Sequence, residues 1–172
     1  MTSRGLRLAT LARQLLLERA GLSAVAAVEQ LAGLQAQDAN GPYLGLWARL
    51  EGFARDELTR AVEARDVVVA TLHRVTMHMV TAADHRWVKP SLAPMLERTR
   101  RLPVIRDLDQ EHLLAEARRR APVRMRDLHE LAPPGVNPGH LSGLFQACLP
   151  FVRVPPAGTW SVGGRTRRRG RG

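Results

Sequence analysis

A mainly α-helical fold with short β-hairpins follows from three features of this 172-residue sequence. Aromatic residues make up only 4% of it, which leaves the core to Leu, Val and Ala, and Ala, Leu and Arg are strong helix formers. Apolar residues recur at three- and four-residue spacing over most of the N-terminal half. Two β-rich runs, 67–72 and 75–80, break that period with His73-Arg74 between them, the pattern of a hairpin.

The elements are expected in this order. Leu8, Leu11, Leu15 and Leu16 predict a helix over 8–19, capped by Thr10 and ended by Gly21. Leu22, Val25, Val28, Leu31 and Leu34 predict a second over 23–34. Asp38-Ala39-Asn40-Gly41-Pro42 is a turn, and Pro42 suits the first turn of a third helix, 42–51, with Leu44, Trp47 and Leu50 on one face. A fourth helix, 55–65, carries Leu58 and Val62 ahead of the hairpin. Residues 82–101 are helical in pattern, with Pro90 and Pro94 kinking or interrupting them.

A second series then begins. Helices are expected over 108–120, 125–131 and 139–148, the last with Leu141, Leu144 and Phe145 inward. Strands over 151–154 and 159–162 would be joined by Pro155-Pro156-Ala157-Gly158. Helices followed by a hairpin are the outline of a winged helix, in which one helix lies on DNA and the hairpin is the wing. The expected architecture is therefore tandem winged-helix units, the second incomplete. Residues 1–101 form the first unit with its following helix, 102–164 a partial second unit, and 165–172 an Arg/Gly tail. Such a tail cannot bury apolar surface and is expected to be disordered. It reads either as a nucleic-acid-binding tail or as the remnant of a truncated or frameshifted end. The second is favoured, because a finished wing returns apolar residues to the core. An unfinished wing leaves the edge around Phe151–Val162 uncovered, which predicts poor solubility.

The formal net charge of +10 favours a polyanionic partner. Half of that excess comes from the five arginines after Gly164, so the body is only mildly basic. Lys89 is the lone lysine. Guanidinium forks suit phosphate oxygens, although a GC-rich codon bias produces the same preference. One cysteine, Cys148, excludes an internal disulfide and fits a reducing cytosol. Neither a signal peptide nor a membrane-length apolar run is present, so a cytoplasmic protein at the nucleoid is expected, with no membrane partner. His73, His78 and His85 match no HExxH or Cys/His pattern, so neither a metal nor another cofactor is expected.

The stretch Gln35-Ala36-Gln37 holds the candidate chemistry. Residues two apart in a helix point roughly 200° away from each other, and they share a direction only where the backbone is extended or turning. The turn at 38–42 permits that. Converged amides present carbonyl acceptors and N–H donors together. Such a set can hold a water and stabilise positive charge developing on a sugar without titrating. The plainer alternative is that the amides cap a helix end or are simply solvated. Asp38 either activates water or stabilises the turn. Tyr43, Trp47, Trp87 and Cys148 fall in apolar registers and are expected to pack.

The stretches LRLATLARQLLLERAGLSAVAAVEQLAGLQAQ, GPYLGLWARLEGF and VVVATLHRVTMHMVTAADH resemble the bacterial winged-helix DNA-binding family that includes the AlkZ/YcaQ-type DNA glycosylases, most specifically over residues 6–95. The resemblance implies tandem winged helices around a basic channel that holds double-stranded DNA. It implies excision of alkylated or crosslinked bases by hydrolysis of the N-glycosidic bond. The catalytic signature, glutamine–aliphatic–glutamine, is matched by Gln35-Ala36-Gln37, with Gln35 and Gln37 catalytic. A Thr-x-His pattern is matched by Thr76 and His78 on a hairpin that approaches DNA. Arg74 at that hairpin is a phosphate contact or a solvated wing residue, and Val75 stands where relatives often carry something smaller. Full-length members hold a further winged-helix unit for which this chain lacks room, so a truncated copy is expected. The alternatives are a non-catalytic, regulatory winged-helix protein and an inactive fragment.

Overall fold

The computed structural model describes residues 2–160. Helices α1 (Ser3–Arg13) and α2 (Ala24–Gln30) precede a two-residue strand, β1 (Leu34–Gln35). Helices α3 (Gly41–Trp47) and α4 (Arg55–Glu63) lead to β2 (Val67–Thr71) and β3 (Met77–Thr81). Then come α5 (Ala82–Ser91), α6 (Ala93–Leu96), α7 (Gln110–Arg119) and α8 (Pro138–Cys148), with 3-10 turns at His73–Val75, Glu97–Arg101 and Met125–Leu131. The three strands form one antiparallel sheet in the order β1-β3-β2. The chain is thus mainly helical with a small sheet.

Strand β2 is buried along its whole length because helices cover both its faces. Val67 and Val69, with Met77 and Met79 of β3, pack on Val28, Leu46, Leu58 and Val62 from α2, α3 and α4. Val68, Ala70, Leu72 and Val80 point the other way, against Val88 of α5. Each fully buried valine contributes about 1.5–3 kcal/mol. A third cluster, built on Leu113, Leu114, Leu128, Leu141, Leu144 and Phe145, joins α7, α8 and the 125–131 turn.

The start of α2 is tied to α4. Ser23 Oγ accepts from Ala26 N–H, and Ala24 N–H donates to the Glu57 carboxylate at 2.7 Å. At its other end Ala32 N–H returns to Glu29 and Gly33 N–H to Val28, with Ala32 at φ 53° and Gly33 at φ 102°. This pair of bonds is the Schellman ending. It turns the chain straight into β1. A Cβ on Gly33 would stand 2.6 Å from Val80 Cγ1 and 2.9 Å from the Met79 carbonyl oxygen. Only glycine allows that close approach, so Gly33 seats β1 on β3.

Several expectations are corrected. The first helix spans 3–13 with Thr2, not Thr10, as its cap, and the chain turns out of it at Leu15, which is at φ 54°. None of its residues is buried, and Leu6, Leu8 and Leu11 are exposed. The second helix stops short of Leu34, which is in β1. In α3 the inward residues are Tyr43 and Leu46, followed by Leu50, whereas Leu44 and Trp47 are each 58% exposed. Trp87 is exposed as well. The second hairpin does not form among the described residues. Val152 instead bridges to Ala70, and Arg153 N–H donates to the Val69 carbonyl at 2.8 Å, so this segment extends the first sheet beyond β2. The expected partner strand at 159–162 shows no strand at 159 and 160, and its residues 161 and 162 lie outside the described residues, as does the tail.

Candidate active site

Gln35 and Gln37 flank Ala36 on an extended segment. Ala36 is 1% exposed and packs in the first core, while both glutamines are exposed. Alternation along extended backbone therefore sends the two amides to one side and the methyl group to the other. Gln35 pairs across the ladder with His78. The next pair, Ala36 and Met77, shares a main-chain hydrogen bond of 2.8 Å from Ala36 N–H to the Met77 carbonyl. Hydrogen-bonded and open pairs alternate in an antiparallel ladder, so Gln35 and His78 form an open pair, whose side chains stand about 4.5–5.5 Å apart at Cβ. The Met77 N–H on the same side donates to Gln37 Oε1 at 3.3 Å. The Gln37 side chain thus does what a strand carbonyl would do. This bond orients the amide, and its NH2 group remains available as a donor.

The hairpin brings the other expected residues together. His73 carbonyl accepts from Thr76 N–H at 3.1 Å and from Thr76 Oγ1 at 2.9 Å. Arg74 and Val75 between them both have positive φ, 55° and 59°, the signature of a type I′ turn, which suits hairpin twist and normally takes Asn or Gly. Arg74 is exposed at the tip. His78 Nδ1 lies 3.0 Å from the Thr76 carbonyl oxygen. That oxygen can only accept, so Nδ1 carries the proton and Nε2 offers a lone pair. The His73 and His78 rings meet edge to face, 5.2 Å apart at their centroids. Burial first, and the charges of His73 and Arg74 after it, hold His78 below the usual histidine value, against the opposing effect of the Thr76 bond. The imidazole is neutral at neutral pH.

The site is therefore a row of neutral polar groups: two amides, an unprotonated imidazole nitrogen and a threonine hydroxyl engaged in the turn. Asp38 is turned to its own loop, where Oδ1 accepts from Asn40 N–H at 2.8 Å. Tyr43 is buried, with its hydroxyl 3.1 Å from Thr59 Oγ1. Among the described residues no group of three His, Cys, Asp or Glu side chains is placed to hold a metal ion. A larger cleft of about 470 Å³ lies between the 97–101 turn and α7. Its Arg100 is already paired with Glu97 and Glu111. The sequence does not disclose the edge-to-face contact between His73 and His78. An odd separation sends strand residues to opposite faces, and only the turn at 74–75 folds His73 back.

Oriented dipoles beside an acceptor nitrogen, with no acid–base carboxylate pair, suit a reaction whose leaving group needs no protonation. A family model described as DNA glycosylase AlkZ-like matches residues 28–171, an interval that includes both glutamines and the hairpin. The chain belongs to this AlkZ-like DNA glycosylase family. No curated protein and no solved structure gives a match. Among the described residues no helix is long and apolar enough to cross a membrane.

Proposed function

We propose that this chain is a winged-helix protein that binds double-stranded DNA and hydrolyses the N-glycosidic bond of alkylated or crosslinked bases. The carrying observation is the exposure of Gln35 and Gln37 on one side of an extended segment, with the neutral His78 opposite Gln35. The order α2, β1, α3, α4, β2, β3 and the central place of β3 in the sheet support the winged-helix reading. The hairpin tip with Arg74 is then the wing, and Arg74, Thr76 and His78 are its DNA-facing residues. Residues 1–101 form this unit, and the helices after 102 buttress it from the far side of the sheet.

An N-alkylated purine already carries positive charge and leaves as a neutral base. Water forms the new bond to the sugar C1′ as the bond from C1′ to the base nitrogen breaks, and the base keeps the electron pair. The water proton passes to solvent or to His78 Nε2. The amides of Gln35 and Gln37 hold that water and place their carbonyl dipoles against the charge that develops on the sugar, preorganised so that little rearrangement is needed.

The test is duplex DNA carrying N-alkylated purines, scored for abasic sites by alkaline strand cleavage. Gln35→Ala or Gln37→Ala is expected to slow excision roughly 10²- to 10³-fold. Gln37→Glu keeps an acceptor for Met77 N–H and so separates lost chemistry from lost strand closure. The bond from Met77 to Gln37 favours a second reading, a DNA-binding protein in which Gln37 only closes the strand. Duplex binding without base loss in the wild-type protein selects that reading.

A further inference from the structure

Trp47, Leu44 and Trp160 lie on one side of the first unit, where a cavity of about 250 Å³ is lined by Tyr43, Leu44, Trp47, Phe53, Arg55 and Trp160. Trp47 is 58% exposed, an unusual placement for the largest side chain of α3. The Tyr43 and Trp160 rings meet edge to face at 5.6 Å. The guanidinium of Arg55 lies over the Trp160 ring and that of Arg19 over the Trp47 ring, each 5.2 Å from the centroid. No carboxylate lines the cavity. Among the described residues every arginine–carboxylate ion pair involves residues 97–130, so neither Arg19 nor Arg55 is neutralised in that way.

We propose that this cavity is a stacking site for one unpaired base of single-stranded DNA, with Arg55 and Arg19 taking the phosphates on either side. It is smaller than the roughly 300–1,000 Å³ of a drug-sized pocket, which fits a single ring system. Aromatic walls accept any base through its π-face, and guanidinium groups stack on bases as well as binding phosphate. An apolar peptide would use the walls and leave both cations uncompensated, so charge favours a polyanion. Helix α3 begins at Gly41, just after the glutamine pair, and ends at Trp47. The cavity is thus displaced about 10 Å along one helix axis from that turn. A displaced or frayed strand held there would keep the neighbouring duplex in register with Gln35 and Gln37. The proposal goes beyond the function proposed above and stands independently of duplex binding and of catalysis.

The test uses the full chain carrying Trp87→Phe, which removes the exposed α5 tryptophan and leaves Trp47 and Trp160 as emitters. It is titrated with a single-stranded thymidine oligomer, with an abasic phosphodeoxyribose oligomer of equal length, and with duplex DNA. The base-bearing oligomer is expected to quench tryptophan emission and to bind more tightly than the abasic one. Trp47→Ala is expected to weaken single-strand binding about 5- to 150-fold, the equivalent of one base–aromatic stack at ~1–3 kcal/mol. Duplex affinity and melting temperature are expected to stay unchanged, and Trp47→Phe to recover part of the loss. Equal binding of the two oligomers overturns the proposal, as does an unchanged affinity in Trp47→Ala or displacement by an apolar peptide. If Trp47→Ala fails to fold, full single-strand affinity in a folded Trp47→Leu protein overturns it, and a loss there supports it. Single-strand stacking without duplex binding or excision would leave this site standing and remove the function proposed above. Duplex excision without stacking would do the reverse, and no nucleic-acid binding at all removes both.

Discussion

Under the proposed function Gln37 would have two tasks that pull against each other. Its carbonyl is committed to Met77 N–H, so only its NH2 group and the outer lone pair are left to act on a substrate. His78 carries a cleaner signature. Its folded-state pKa is depressed chiefly by burial, so the folded chain resists taking up the proton that the unfolded chain accepts near 6.5. Its contribution to stability is complete above that value and is lost as pH falls through the folded value. Melting curves of the wild-type protein and His78→Gln, compared between pH 8 and pH 5, are expected to converge on the acid side. Excision is expected to be flat around neutral pH for the same reason. The two glutamines were legible as a pair, because spacing two demands extended backbone, and that is what surrounds them. The bond to Met77 was not, since it depends on the register of β1 on β3. The inward face of α3 was misjudged by one position. Leu44–Trp47–Leu50 and Tyr43–Leu46–Leu50 both fit a helical period, and a helix of two turns is too short to choose between them.

Helix endings explain most of the misplaced boundaries. Helices α1, α2 and α4 all close with the same pair of returning N–H bonds, and the left-handed position is filled by Leu15, Ala32 and Arg65. Glycine is the usual signal for this ending, so Gly21 drew the first helix too far. Gly33 does a different job, letting the chain pass over Val80 and the Met79 carbonyl. Gly33→Ala is expected to cost about 1–3 kcal/mol from strained backbone alone, with more from the clash, and to lower base excision because β1 is displaced. Chemical denaturation together with the abasic-site assay checks both. The hairpin tip runs the other way. Val75 is a β-branched residue in a left-handed turn, where an L-residue costs roughly 1–2 kcal/mol. Val75→Gly is expected to raise stability by about 1 kcal/mol, seen as a higher melting temperature, while Arg74 keeps its place at the tip. The hairpin itself was legible from its two β-rich runs, but β3 starts later than expected because Val75 belongs to the turn.

The whole molecule is bolted together by its one lysine. Lys89 is 7% exposed, and its Nζ donates to the Thr71 carbonyl at 2.9 Å and to the Gln146 carbonyl at 2.7 Å. It joins the end of β2 to the last turn of α8, where a cation also meets the negative end of the helix. Burial lowers its pKa to about 8. An unfolded chain holds that proton up to about 10.4, so stability is expected to rise with pH between these values and to be flat, at its lower level, below about 8. Lys89→Met lacks this rise, and because Lys89 and Cys148 act on each other the two melting profiles are compared in a Cys148→Ala background. Nothing in the sequence marked Lys89 beyond its rarity. The helices of the second half were legible from Leu141, Leu144 and Phe145, whereas the destination of Val152 and Arg153 was not, since a strand's partner is a long-range choice. Their position beside Val69 and Ala70 has a consequence during synthesis. The outer border of the first sheet stays bare while ribosomes make the intervening helices, and it is sealed only when the far end of the described chain emerges.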